Sequence, residues 1–329
     1  MAGRVLTTDA LVKTLRRRAM LPQADETFSK QDFIDILNEE MDNGLLKTLM
    51  STHEEYLVNV YDIPLVTGQS QSIFRIPSRA IGNKVRAACF YNSNGYITSI
   101  SRVEIENLRF YQKVGYQTYT FYVQNDNIIL TQTTISVNAN YFRMYYYLRP
   151  SKLVEDKFGA VITGINKTTG EITVDKIPSN FSTSVLLDFT QAATPNRLYK
   201  YDVTPTSINS TTKIITIDPL LFTQISVTPD AIPTLSYLKV GDYVTVAEES
   251  IVPQVPTEMH PLLAQRAAVA CLEALGDTAG LQNAQVKLQQ MEQNVLDLID
   301  NRVEGSPQKV NNMSSPLSQQ RMRYRRSLW

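Results

Sequence analysis

Apolar residues recur at helical spacing at both ends of this chain, whereas its middle alternates as strands do. A period near 3.6 buries one face of a helix, and a period of two buries one face of a sheet. This partition predicts an α+β fold. We expect a helical domain formed by the N- and C-terminal helices, with a large antiparallel β domain inserted between them and an extended C-terminal tail.

Residues 1–66 are predicted to form the N-terminal part of the helical domain, as two helices. Leu11, Val12 and Leu15 give the first one a buried face. Ser29 and Asp32 form a capping-box pattern at the start of the second, which is expected to run from residue 30 to about residue 61. Gly44 is a candidate break inside it, because glycine costs about 1 kcal/mol relative to alanine in a helix interior.

Residues 67–252 are predicted to form the inserted β domain. The chain has 17 tyrosines and 11 phenylalanines, residue types that pack well on sheets. Short apolar runs between turn signals predict an antiparallel meander over 84–148. The clearest hairpin is 160–175, with its turn at 167–170. The stretch 178–231 is rich in Thr, Ser, Asn and Pro, so it is either a loosely packed β insertion or a set of long loops.

Residues 253–304 are predicted to form the C-terminal helices that complete the helical domain. Thr257 is a candidate N-cap of the first, and Gly276 is a candidate stop. The last helix carries apolar residues at spacings of three and four, which is an a/d packing seam that needs a helical partner. That partner is most simply the N-terminal helix pair. The seam consists of Leu281, Ala284, Leu288, Met291, Val295 and Leu298.

The tail, residues 305–329, contains no Asp or Glu and little that could form a core. Its end combines four arginines with Met, Tyr, Leu and the only Trp of the chain, residue types enriched at interface cores. Fully extended, the tail reaches on the order of 80 Å. A disordered end that only aids solubility is the alternative. We predict a docking arm whose contact residues are Arg321, Met322, Arg323, Tyr324, Arg325, Arg326, Leu328 and Trp329.

The sequence predicts no catalytic, cofactor-binding or metal site, and hence no cofactor. The chain has two histidines, His53 and His260, in different helical segments and without metalloprotease spacing. No phosphate-loop, dinucleotide-binding or nucleophile-elbow pattern occurs. Carboxylates between 25 and 42 are interpreted as a solvated helix face, and Arg16 to Arg18 as a complement to a helix end.

Charge and hydropathy narrow the classes of partner. The formal net charge is zero, which gives no bulk attraction to a polyanion or a membrane. No apolar run approaches the roughly 20 residues that cross a bilayer, so no membrane partner is expected. The N-terminus lacks the apolar core of a signal peptide, which indicates a protein made in the cytoplasm.

Three features together resemble the head-to-tail adaptor proteins of tailed bacteriophages, also called portal-adaptor or head-completion connector proteins. They are the opening 21–38, the segment from Thr67-Gly68 to 75–82, and the layout of helices around a β insertion with a basic tail. The resemblance implies a structural virion protein at the head–tail interface, made in the cytoplasm of a bacterial host. It further implies a ring, commonly of twelve copies, that lines the passage of the DNA.

The same resemblance implies the partners. The C-terminal arms would dock on the portal protein, and the opposite surface would receive tail or nozzle proteins. Neighbouring copies would form the ring, and DNA would pass through its channel without sequence-specific binding. Two alternatives stay open: a structural protein of the tail tube or nozzle, and a nucleic-acid-binding module that uses the basic aromatic tail.

Overall fold

The computed structural model describes residues 5–21, 27–65, 72–92, 96–108, 119–131, 140–193, 198–222 and 235–299. Helices lie at both ends of these ranges and two seven-stranded, mainly antiparallel sheets lie between them, so the predicted α+β class is confirmed. The predicted tail lies outside the described residues. The α-helices are α1 Thr8–Arg18, α2 Lys30–Glu40, α3 Leu46–Thr52, α4 His260–Leu275 and α5 Thr278–Ile299.

The start of α2 is the predicted capping box. The Ser29 hydroxyl accepts the N–H of Asp32 at 3.2 Å, and the Asp32 carboxylate accepts the N–H of Ser29 at 2.7 Å. These two bonds satisfy donors that have no partner within the helix. The prediction is confirmed.

The predicted end of this helix near residue 61 is wrong. A π-helical turn, Met41–Leu45, separates α2 from α3, and a strand already begins at Val58. Gly44 lies in the π turn, where its missing side chain leaves room for the side chain of Arg266. Residues 58–64 include two valines and an isoleucine, which favour a strand. The first sheet therefore begins within the residues that were assigned to the helical domain.

Helix α4 is the central element of the helical core. It packs against α1, α2 and α5, and it buries Leu262, Leu263 and Cys271. Its alanines, such as Ala267, let neighbouring helices approach closely. Gly276 ends α4, as predicted, and the structure shows it in the left-handed conformation, with φ of 71°. The chain's two ends thus share one core, but α5 packs mainly on α4 and not, as predicted, on the N-terminal helices.

The first sheet has the strand order β1-β7-β3-β4-β5-β6-β2, in which only β4 and β5 are parallel. The meander predicted over 84–148 is therefore only partly right, because β7 lies between β1 and β3. The aromatic β7 is largely buried, which suits a strand with neighbours on both sides. The strands are β1 Val58–Pro64, β2 Ile73–Arg75, β3 Ala80–Tyr91, β4 Ile97–Arg102, β5 Thr120–Gln124, β6 Asn127–Leu130 and β7 Tyr141–Leu148.

The second sheet has the order β12-β11-β15-β9-β10-β14-β13. Its β9–β10 pair is the predicted hairpin, which is confirmed. The described part of 178–231 holds strands β11 to β14, so the β interpretation of that stretch was the right one there. The strands are β9 Ala160–Asn166, β10 Glu171–Val174, β11 Leu187–Thr190, β12 Leu198–Val203, β13 Ser207–Asn209, β14 Ile214–Thr216 and β15 Tyr243–Val246; β8 Lys152–Leu153 and β16 Glu249–Ser250 form a separate parallel pair.

Candidate interaction site

The sequence-predicted docking residues lie outside the described part of the chain. They are Arg321, Met322, Arg323, Tyr324, Arg325, Arg326, Leu328 and Trp329. Helix α5 is the last described element, and the arm follows it in the sequence. The site that the structure can describe is therefore the helix that precedes the arm, together with the contacts that fix its position.

Most of the predicted seam on α5 faces the helical core. Ala284 and Val295 are buried, and Leu281, Leu288 and Met291 are half-buried against the same core. Leu298 differs, because it is 71% exposed. Leu298 lies in the last turn of α5, after the last residue of that helix that packs in the helical core. The seam in contact with the core ends at Val295.

A three-helix ion cluster holds α5 in place. Arg266 of α4 donates through Nε to Glu40 of α2 at 2.9 Å and through Nη1 to Glu292 of α5. A Cβ atom on Gly44 would overlap with the Arg266 guanidinium, so glycine in the π turn makes this arrangement possible. Sequence reasoning missed this cluster, because residues 40 and 266 carry no signal that pairs them.

Arg18 of α1 makes a second polar link to α4. Its Nη1 donates to the carbonyl of Pro261 at 2.7 Å and to Oε1 of Gln265 at 3.1 Å. Gln265 in turn donates to the carbonyl of Ala284 in α5 at 3.1 Å. Burial, and the neighbouring charge of Arg17, lower the pKa of Arg18. Arg18 thus ties α1 to α4 and does more than complement a helix end.

His260, the first residue of α4, is fully buried. Its Nδ1 accepts the N–H of Leu6 at 3.2 Å, and Nε2 lies 3.2 Å from the carbonyl of Val255, to which it donates. Burial lowers the pKa of His260 to about 4, so the neutral ring is the native form. The ring joins the start of the chain to the start of α4.

A buried ion pair joins the two sheets. Arg79, in the turn before β3, lies 2.6 Å from Asp188 of β11 and 2.8 Å from Asp202 of β12. Burial by itself favours the neutral guanidine, but hydrogen bonding and the charge of Asp188 outweigh it and raise the pKa of Arg79. Beside this pair, the hydroxyl of Tyr146 donates to that of Tyr201 at 2.8 Å. The inserted β region is therefore tied together across its two sheets.

A second buried ion pair lies within the first sheet. Asp62 of β1 and Arg143 of β7 are register partners and are joined by two hydrogen bonds, of 2.8 and 2.9 Å. The guanidinium also lies 4.4 Å from the ring centroid of Tyr91. Both charged groups are nearly inaccessible to solvent. Each charge thus has the other as its partner, so neither is left uncompensated at the β1 edge of the sheet.

Among the described residues, no group of three or more His, Cys, Asp or Glu side chains is arranged to hold a metal ion. Cys89 and Cys271 are buried free thiols, and burial raises the pKa of each to about 11. None of the described helices is both long enough and apolar enough to cross a membrane. No protein-family model matches the chain, and no curated protein matches it either.

Proposed function

We propose that this chain is a structural adaptor subunit of a tailed bacteriophage virion, in which copies form a ring between the portal vertex and the tail. In this proposal the C-terminal arm docks on the portal protein, the β region receives tail or nozzle proteins, and DNA passes through the ring. The role is one of assembly and not of catalysis.

The observation that carries the proposal is the shared core of the chain's two ends. Residues from α1 and α2 pack in one cluster with residues from α4 and α5, while the two sheets have separate cores. An adaptor needs such a division, because one module must serve the contact with the portal while the other presents a surface to tail or nozzle proteins. The buried Arg79–Asp188 pair supports this role, because it links the two sheets that would together form that surface.

The composition of the arm supports the portal as its partner. Ordering a free segment costs roughly 1–2 kcal/mol per residue in backbone entropy, so the arm requires a large surface to bind. Arginine makes forked hydrogen bonds, and Tyr324 and Trp329 add apolar area at low entropic cost. A ring of such arms binds more tightly than one, because each docked arm raises the effective concentration of the next.

Binding of the purified full chain to purified portal protein tests the proposal. We expect a complex with the full chain and none with a chain that ends at Val303. Cross-linking through Lys309 should then join the arm to the portal subunit. Cross-links confined to a distal fibre protein would contradict the proposal.

A nucleic-acid-binding arm is the second candidate, favoured by arginines that alternate with Tyr324 and Trp329. The same binding experiment, repeated with DNA in place of portal protein and at increasing salt, separates the two candidate functions. DNA binding weakens steeply with salt, with a slope near −0.9 per phosphate contacted, whereas an arm anchored by aromatic residues is less sensitive. Binding to DNA but not to portal protein, lost at moderate salt, would favour the second candidate.

A further inference from the structure

The first sheet is joined to the rest of the chain at one end. The chain enters it at Val58 and leaves it after Leu148, and Val58 is the register partner of Tyr147. Val58 and Tyr147 also pack against the helical core, as does Ile81 at the start of β3. The entry, the exit and these contacts with the helical core therefore lie together, and the sheet extends away from them.

The described contact between the two sheets is small and partly polar. Each sheet has its own hydrophobic core, and two residues of the second sheet, Leu198 and Tyr201 of β12, pack against the core of the first. The hydroxyl of Tyr201 accepts a hydrogen bond from Tyr146, and its ring centroid lies 5.1 Å from the guanidinium carbon of Arg79. Units of one chain that meet over such an interface are expected to move relative to each other.

The carboxylate of Asp188, in β11, is the point at which Arg79 crosses to the second sheet. Nη1 and Nη2 of Arg79 donate to its two oxygens at 2.6 and 3.2 Å. The same oxygens accept the N–H of Asp202 at 3.0 Å and the N–H of Glu248 at 3.1 Å. Of these four hydrogen bonds, the two that link the sheets both come from Arg79. Without it, the fully buried carboxylate loses the positive charge that compensates it.

Two of the residues that bind Asp188 have a strained backbone. Asp202 and Glu248 lie in the left-handed region, with φ of 56° and 65°. A side chain disfavours this region because its Cβ atom crowds the backbone, and neither residue is a glycine or an asparagine. The Asp188 carboxylate holds both residues through their N–H groups. Strained residues of this kind concentrate where a structure switches between two arrangements.

We infer that the first sheet is a hinged unit that swings away from the second sheet, and that Arg79 is the lock that holds the two together. The hinge lies where the chain enters and leaves the sheet, at Val58 and Leu148. Swinging separates β12 from the core of the first sheet and leaves the strand pairing within each sheet intact. The lock borders the solvent, because Asp202 and Glu248 beside it are 41% and 70% exposed. This inference does not depend on the proposed function.

Distances between spin labels on the two sheets test the inference. Ser99 in β4 and Ser207 in β13 are exposed, and each is replaced by a labelled cysteine in the full chain. Double electron–electron resonance then measures the distance between the labels. We expect one distance when Arg79 is present and a second, additional distance in Arg79→Met, because opening lets water reach the unpaired carboxylate. A single unchanged distance in a folded Arg79→Met variant would overturn the inference.

The matched control is Arg102→Met, measured with the same two labels. Arg102 is exposed in β4, so the substitution makes the same chemical change in the same sheet, away from Asp188. This variant should keep the single distance. The same second distance in Arg102→Met would show that Arg79 is not the lock, and would also overturn the inference.

The natural thiols distinguish opening from unfolding. Cys89 in β3 and Cys271 in α4 are buried, so neither reacts with the spin label while the first sheet and the helical core are folded. If they react in Arg79→Met, Arg79→Lys takes its place, since lysine keeps the charge and loses the forked hydrogen bond. A second distance in folded Arg79→Lys would uphold the inference. One unchanged distance there, or unfolding of both variants, would overturn it.

Discussion

The guanidinium of Arg79 lies 2.6 Å from the carboxylate of Asp188, and both side chains are almost fully buried, at 5% and 0% exposure. Arg79 directly precedes β3 of the first sheet and Asp188 lies in β11 of the second, so this ion pair couples the two sheets. Removing one partner of a buried pair leaves the other charge without compensation, which costs about 3–5 kcal/mol.

Arg79→Met should therefore lower the free energy of unfolding by about 3–5 kcal/mol, measured by urea denaturation. The matched control is Arg86→Met, because Arg86 pairs with Glu55 on the surface, and exposed pairs contribute about 0–1 kcal/mol. A loss below about 1 kcal/mol in Arg79→Met would show that the sheets do not depend on this pair.

His260 should make the protein less stable in acid. Its pKa is about 4 in the folded chain, against about 6.5 when unfolded, so between these values the unfolded chain binds more protons. Stability from this residue is fully present above pH 6.5 and decreases as the pH falls toward 4, by about 3 kcal/mol in all. Glu258 is the charged neighbour that partly opposes this shift.

The measurement is the free energy of unfolding against pH for the natural chain and for His260→Gln. We expect the natural chain to lose its advantage over the variant as the pH falls from 6.5 to 4. Parallel profiles over that window would show that the ring of His260 is not buried in its neutral form.

Gly44 and Arg266 should be energetically coupled. A methyl group at residue 44 overlaps with the guanidinium, which is the movable end of its side chain, so Gly44→Ala should displace Arg266 from Glu40 and thereby offset the gain of up to about 1 kcal/mol that alanine brings in a helix. In the background of Arg266→Ala the overlap is gone, and the same substitution should stabilise by up to about 1 kcal/mol through helix propensity. A double-mutant cycle by urea denaturation measures this. The same effect in both backgrounds would contradict the coupling.

A chain that ends at Val303 should remain folded. Val295, the last described residue of the helical core, is retained in this shorter chain. Circular dichroism and the midpoint of urea unfolding should match those of the full chain, while binding to portal protein is lost. Loss of cooperative unfolding in the truncated chain would mean that the arm is part of the core.

The sequence predicted those parts of the fold that depend on local chemistry. Ser29 and Asp32 specify a cap, Gly276 specifies a helix end, and the turn at 167–170 specifies a hairpin, because each acts within a few residues of itself. The α+β class followed from periodicity in the same way.

The parts that depend on distant residues were not predictable. The insertion of β7 between β1 and β3 is decided by which strand buries both of its faces, and no local pattern records that. Arg79 and Asp188 are 109 positions apart, and ion pairs of this kind have no spacing rule. The start of β1 at Val58 was missed because the apolar residues before it continue a helical pattern.

Electron cryomicroscopy of an intact particle tests the central claim most directly. We predict a ring of copies of this chain beneath the portal, with residues 305–329 of each copy lying against a portal subunit. Density for this chain at the distal end of the tail, or arms that contact DNA and not the portal, would contradict the account.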